Sequence, residues 1–395
     1  MPLKTLGKIS AAVKERPTQI EEAKKKGKKV VGWLSYNVPE EILHALGLIS
    51  VRLGLGGDEA LVEKGGRYLS TQNCVFLRET VGLFEENKDP YIKNSDLVVF
   101  DCTCLQTFRT AEVVKYYFGV NTLILDVPKN FYLPEGQEYF RKEVADFTGK
   151  LEEFSGTTLD FSKLAESVKL FDHIREAIKK LYDYQASAKA VISWHEVYTV
   201  VQANYYLDKG LYLSLLKELL AELKAAQGDP TIHDLGDQVR IFISGSVIPP
   251  GDTKLIEILE KSGARIVGDD IWSGLAPSID VTIKEPTLSG IADGYINRLP
   301  HAALPYLDAK TDQRLATRNR LVQRFKAHGV IYHTLRYCDP FTFKAAEAKK
   351  VLNNEGLSVL EIHTEYAGSD YEGIRTRVGA FVELLDTRLA LAEAA

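Results

Sequence analysis

The sequence predicts an α/β protein with two parallel-sheet domains and a helical middle region, on three observations. Short apolar runs alternate with helical segments from residue 30 to about 127. The apolar spacing then turns helical from Glu135 to about Gln227, and strand and helix alternate again after Gly228-Asp229-Pro230. In the first domain VVGWLS (Val30 to Ser35), ISVRLG (Ile49 to Gly54), LVVFD (Leu97 to Asp101) and TLILDV (Thr122 to Val127) read as buried strands. Asn37-Val38-Pro39-Glu40-Glu41 has the form of a helix start, with a capping Asn, an early Pro and first-turn acids. In the middle, LAESVKLFDHIREAIKKLYDY and LYLSLLKELLAELKAAQ keep a helical period with no strand between them. RIFISGS (Arg240 to Ser246), ARIVGDD (Ala264 to Asp270), GVIYHTL (Gly329 to Leu335) and LSVLEIH (Leu357 to His363) are the strands of the second domain. The expected division is a basic helical extension over 1–28, an α/β domain over 29–134, the helical region over 135–230 and a second α/β domain over 231–395. Lys24, Lys25, Lys26, Lys28 and Lys29 are read as a solvated helix end.

The chain has 395 residues, 45% of them apolar and 26% charged, so it can bury a real core in two or three domains. Lys+Arg 49 against Asp+Glu 54 leaves a net charge of -5 and no basic surface for nucleic acid. No run approaches the roughly 20 apolar residues that span a bilayer, and the opening stretch has no signal-peptide core. The expectation is a cytoplasmic protein that binds neither membrane nor nucleic acid, whose four cysteines are not in disulfides, which leaves buried packing, catalysis or metal ligation.

Gly54-Leu55-Gly56-Gly57 lacks the third glycine of a dinucleotide fingerprint, and no GxxxxGK[ST], HExxH or CxxC occurs. The loop Ser244-Gly245-Ser246 through Gly251-Asp252 lies between a strand and a helix, where backbone amides either hold an anion or form a tight turn. The cysteines fall at more informative places. Cys102 and Cys104 follow one strand and Cys338 follows another, and ligands of open α/β sheets bind at the carboxyl ends of strands. Cys74, in QNCVF, precedes a predicted helix, whose positive end favours a thiolate. Positions 74, 104 and 338 either converge across a cleft between the domains or are each a small buried apolar residue, and composition alone leaves the case there. Glu40 and His44, spaced i, i+4 on the first helix, are either catalytic, as a proton donor or a substrate contact, or a solvated pair on a capped helix. His333 and Arg336 flank the strand before Cys338, and Asp269 and Asp270 at a strand end either bind a metal or cap a turn.

Four stretches make the sequence resemble a known family: GWLSYNVPEEILHALGLISVRL, DLVVFDCTCLQTFRTAEVV, ISGSVIPPGDTKLIEILEKSGARIVGDD, and the segment from GVIYHTLRYCDPFTF to RTRVGAFVELL. Together they resemble the iron-sulfur subunits of benzoyl-CoA reductase and 2-hydroxyacyl-CoA dehydratase over about residues 29 to 386. The resemblance implies two flavodoxin-like domains and a 4Fe-4S cluster held by three cysteines, spaced by about thirty and then somewhat over two hundred residues. Cys74, Cys104 and Cys338 are 30 and 234 residues apart, and the ligand role is carried to them. Many relatives have Asp after the middle ligand, where this chain has Leu105, and the extra Cys102 faces the same side of an extended segment as Cys104, so it is an alternative ligand. Trp272 and His301 stand where many relatives carry further cysteines, which argues against a double-cubane cluster in one chain. The resemblance also implies acyl-CoA thioester substrates, ketyl-radical chemistry of a dehydratase or reductase, a homologous sister subunit and a separate ATP-dependent iron-sulfur activator. Under it Ser244, Gly245 and Ser246 become a candidate CoA contact. The alternatives are a sister subunit whose cluster only relays electrons or scaffolds the complex, and an ATP-driven reductase of small non-CoA molecules.

Overall fold

All eight expected strands form in the computed structural model, which describes residues 3–227, 229, 238–298 and 313–394. The first lobe runs α1 (Lys4–Lys25), β1 (Val30–Leu34), α2 (Glu40–Ala45), β2 (Ile49–Arg52), α3 (Glu59–Gly65), α4 (Val75–Glu86), α5 (Pro90–Asn94), β3 (Leu97–Asp101), α6 (Leu105–Phe118) and β4 (Thr122–Leu125). Helices α7 (Pro134–Ser155), α8 (Phe161–Ala186), α9 (Trp194–Ala203) and α10 (Lys209–Gln227) make the middle region. The second lobe runs β5 (Arg240–Gly245), α11 (Lys254–Lys261), β6 (Arg265–Asp269), α12 (Leu288–Ile296), α13 (Gln313–Arg324), β7 (Gly329–Leu335), α14 (Asp339–Asn354), β8 (Ser358–Thr364) and α15 (Tyr371–Ala394). Among the described residues no helix is long and apolar enough to cross a membrane.

Both sheets are parallel and share one order, β2-β1-β3-β4 and β6-β5-β7-β8, so the fold is two flavodoxin-like α/β domains. The continuous apolar runs follow from burial on both faces. Val31 and Trp33 of β1 face a core shared with α2, α7 and α8, whereas Val30 and Leu34 face one shared with α4 and α6. In the second lobe Ile241, Phe242 and Ile243 join a core that α8, α9, α10, α11 and α15 enclose. Helix α1 buries Ile9 and Ile20, and Lys24 at its end is tied down, 2.8 Å from Asp96 and 2.6 Å from the Asn94 carbonyl. That lysine is therefore not simply solvated, because α1 lies against the α5–β3 turn.

Two local expectations take a different form. Helix α2 has Pro39 at its N-cap and no side-chain cap. Asn37 instead donates its side-chain amide to Thr103 Oγ1 at 2.7 Å and accepts from Arg298 at 3.1 Å, contacts far off in sequence. The glycine loop after β2 serves the contact between lobes: Gly251 N donates to Leu55 O at 2.9 Å, and a Cβ on Gly57 would stand 2.1 Å from Gly251 O.

Helices α3 and α4 meet backbone to backbone. A Cβ on Gly82 would stand 2.1 Å from Leu61 O, a distance that forces the helices apart. Gly82→Ala is expected to destabilise the protein by about 1–3 kcal/mol through overpacking, read as a lowered midpoint in denaturant unfolding. An unchanged midpoint would show that the α3–α4 contact yields freely.

Candidate metal centre

In a sheet of this order the neighbouring strands β1 and β3, and likewise β5 and β7, leave a crevice beyond their carboxyl ends, at the point where the winding of the chain reverses. The two crevices face one another across the lobes. Ser35 after β1, Cys104 after β3, Val247 after β5 and Cys338 after β7 line a single cavity of about 50 Å³, and Cys74 enters it from the start of α4. The rest of the wall is mostly apolar, with Leu34, Phe76, Leu77, Trp272 and Pro340.

Each of the three cysteines is the N-cap residue of a helix: Cys74 of α4 (12 residues), Cys104 of α6 (14 residues) and Cys338 of α14 (16 residues). None uses its side chain as a cap. Three positive helix ends thus converge on the sulfurs, an arrangement that favours thiolates and any anionic core they bind. The neighbouring Cys338 thiol holds the Cys74 thiol below its ordinary range, with the Leu77 and Phe76 amides and Arg78 helping against burial, and Cys74 in turn raises Cys338. The two thiols therefore lose their protons as a pair. Burial pushes Cys104 up, partly offset by Thr107, whose hydroxyl lies 3.1 Å from its sulfur.

Backbone conformation and one side chain hold the three turns together. Ser35 (φ 83) and Tyr337 (φ 63) adopt the left-handed region, which costs a non-glycine residue about 1 kcal/mol or more and persists only where surrounding contacts impose it. Asp101 at the end of β3 accepts from Tyr36 N at 2.7 Å and from Asn37 N, fixing the loop beyond Ser35. Gln106 accepts from Cys74 N at 2.6 Å and donates to Tyr337 O at 3.2 Å and Asp339 at 3.3 Å, so one amide bridges all three cysteine-bearing turns. Sequence reasoning passed over Gln106, because a glutamine two residues past a cysteine carries no sign of contacts more than two hundred residues away.

The other candidates occupy different places. Cys102 is buried outside the cavity, where burial and the Asp101 and Asp126 carboxylates push its thiol up to about 12. Glu40 and His44 do not pair: Glu40 meets Lys209 at 3.0 Å and Ser50 at 2.7 Å, and His44 Nδ1 meets Ser167 at 3.0 Å with its pKa lowered by burial. Neither lines the thiol cavity. Ser244, Gly245 and Ser246 are spent internally, since Ser244 Oγ donates to Asp270 at 3.0 Å, Gly245 N to Asp270 at 3.2 Å and Ser246 N to His333 O at 2.9 Å. Neither of the amides at 245 and 246 is left for an anion. Asp269 accepts from Tyr182 at 2.6 Å, Trp194 at 2.9 Å and Leu275 N at 2.9 Å, a turn-capping role, and Asp270 pairs with Arg318 at 2.8 Å. His333 is buried against Thr364 and pushed down to about 3, and Arg336 pairs with Glu365 at the surface. His301 and the expected boundary at 230/231 lie outside the described residues.

Among the described residues no three or more His, Cys, Asp or Glu side chains close on a point as a single metal ion requires. The cavity's donors are three thiols from three segments, soft ligands of the kind that hold iron-sulfur cores, and no carboxylate or imidazole among the described residues lines it. On donor chemistry these residues fit such a cluster, which the thiolates of Cys74, Cys104 and Cys338 would hold.

The sequence compares well with known proteins over nearly its whole length. It is 24% identical over 368 residues to the (R)-phenyllactyl-CoA dehydratase beta subunit of Clostridium sporogenes, covering 91% of this chain and 92% of that one. It is 22% identical to one of the benzoyl-CoA reductase subunits of Thauera aromatica, covering 90% of each. It is 23% identical to the beta subunit of (R)-2-hydroxyglutaryl-CoA dehydratase of Acidaminococcus fermentans, covering 96% of this chain and 97% of that one. These relatives are enzyme subunits, and this chain is an enzyme subunit of the same dehydratase and reductase type. With residues 35–385 matching the family model, the chain belongs to the family of the 2-hydroxyglutaryl-CoA dehydratase D-component.

Proposed function

We propose that this chain is the 4Fe-4S subunit of an oxygen-sensitive, cytoplasmic enzyme acting on acyl-CoA thioesters, of 2-hydroxyacyl-CoA dehydratase or benzoyl-CoA reductase type. Its partners are a homologous sister subunit, suggested by the beta-subunit relatives, and a separate ATP-dependent iron-sulfur activator. The observation that carries the reading is the convergence of three helix N-caps, each a cysteine, on one cavity.

Cys74, Cys104 and Cys338 are the ligands in this reading, and the burial of Cys102 outside their cavity supports Cys104 over it. When bound, such a core supplies one electron at a time and an iron with no protein ligand, the means of turning a thioester carbonyl into a ketyl radical. The chain's own residues set the conditions. Gln106 fixes the spacing of the ligand turns, the three helix ends offset the negative charge of sulfur, and Phe76, Leu77 and Trp272 exclude water.

Anaerobically purified protein is expected to contain about four irons and matching sulfide per chain. Iron-free protein that remains fully active in the assembled complex would defeat the reading. The lining also favours a second reading, in which the core relays electrons to a sister subunit: the polar neighbours of the sulfurs are Ser35, Gln106 and Thr107, none of them a ready proton donor. Electron paramagnetic resonance separates the two, since a relay core keeps its spectrum when acyl-CoA is added and a substrate-binding core does not.

A further inference from the structure

Behind the thiol cavity lies a second one of about 60 Å³, and Ser35 and Trp272 belong to the walls of both. Arg52, at the end of β2, lines it and is 3% exposed, yet neither terminal nitrogen of its guanidinium has a hydrogen-bond partner among the described residues. The group is held by aromatic faces, 4.5 Å from the Tyr205 centroid and 5.0 Å from that of Trp272. A buried guanidinium left without acceptors is costly, by several kcal/mol on general grounds, unless an anion completes it.

The other described charges around the cavity do not supply that anion. Glu40 is taken by Lys209 and Ser50, and Arg175 is taken by Glu41 at 2.7 Å and Asp172 at 2.6 Å. Arg298, the remaining cation of the wall, bonds neutral oxygens, Tyr36 O and Asn37 Oδ1, and its Nε is also unpartnered among the described residues. Asp101, on the far side of that loop, is committed to the Tyr36 and Asn37 amides and to Thr103. The wall thus keeps an excess of positive charge on guanidinium groups that are themselves buried. At about 60 Å³ it exceeds several-fold the roughly 10–15 Å³ needed for one water, which leaves room for a carboxylate and an adjoining carbon or two.

We propose that the Arg52 cavity is a carboxylate-binding subsite of the thiol cavity beside it. A small molecule seats its carboxylate against Arg52, with Arg298 contributing charge, and the remainder extends past Ser35 and Trp272 towards the cysteines. Only the last clause rests on the metal-centre reading; the arginine's demand for an anion stands without it.

Two of the chain's three tryptophans, Trp33 and Trp272, line the cavity and report on it. The full-length chain is titrated at constant ionic strength with acetate, propionate and succinate, and with acetamide and propionamide as neutral isosteres, while tryptophan fluorescence and thermal midpoint are followed. The carboxylates are expected to give a saturable change and a raised midpoint, and the amides neither. Arg52→Gln is expected to weaken carboxylate binding by about ten- to a hundredfold, the worth of a charge-assisted hydrogen bond, and Arg52→Lys to retain part of it. An equal response to the amides, to chloride, or in Arg52→Gln would overturn the proposal. If Arg52→Gln does not fold, the amide series and Arg52→Lys decide alone, equal affinity for amide and carboxylate being the refuting result. Iron content, measured on the same preparations, keeps the two ideas apart: iron without carboxylate binding sinks this proposal, and carboxylate binding without iron sinks the cluster.

Discussion

Cys104→Ser is expected to empty the thiol cavity of iron, and Cys102→Ser to leave it loaded. The contrast follows from where the two sulfurs lie: Cys104 lines the cavity with Cys74 and Cys338, and Cys102 does not. Serine at 74 or 338 is expected to act as it does at 104, taking the iron content from about four per chain towards zero, since two thiolates cannot grip the core. Unfolding cannot explain such a loss. All three positions are helix N-caps that cysteine leaves without a side-chain cap, and serine is a strong N-cap residue. The iron-free variants should therefore be as stable as iron-free wild type, or more stable by about 1 kcal/mol. Iron and sulfide analysis beside a thermal unfolding curve checks both halves. Iron kept in Cys104→Ser and lost in Cys102→Ser would reverse the ligand assignment.

What the sequence makes legible here is what short-range physics governs. The eight strands were readable because parallel strands buried on both faces are continuous apolar runs. The cysteines were readable because a residue just past a strand sits where such sheets bind ligands. The misreadings share the opposite cause. Asn37 has the form of a cap but is claimed by Thr103 and Arg298, and the amides at 245 and 246 have the form of an anion loop but are claimed by Asp270 and His333. Arg52 is one more polar residue at a strand end until Tyr205 and Trp272 close over it. In each case the deciding partner lies tens to hundreds of residues away, where no local pattern reaches.

Glu79→Gln is expected to remove a steep loss of stability between about pH 4.5 and 8. Glu79 lies on α4, five residues beyond Cys74; it is fully buried, and neither carboxyl oxygen has a hydrogen-bond partner among the described residues. Burial pushes its carboxyl up to about 8 from an ordinary 4.5, with Asp58 and Asp89 adding repulsion, and the Gly56 amide, outside hydrogen-bond geometry, offsets only part of this. Tyr366, whose buried hydroxyl is also unpartnered among the described residues, is another titratable group within its electrostatic reach. Through this window the unfolded chain has released the proton and the folded chain still holds it, so stability falls as pH rises and the loss is complete above the folded value. At about 1.4 kcal/mol per unit the fall reaches roughly 4–5 kcal/mol as an upper figure. Asp252 and Asp269, pushed up to about 6, and His333, pushed down to about 3, titrate in both proteins and cancel in the comparison. Glutamine matches the protonated acid in shape and does not ionise, so wild type and variant should be nearly equal at pH 5, with the variant several kcal/mol more stable at pH 8. Denaturant unfolding at pH 5, 6.5 and 8 measures this, and parallel curves would mean that Glu79 is ionised in the folded protein. The neutral state also suits the thiol site at the start of the same helix, because a carboxylate buried there would oppose negative charge on Cys74 that the helix end favours.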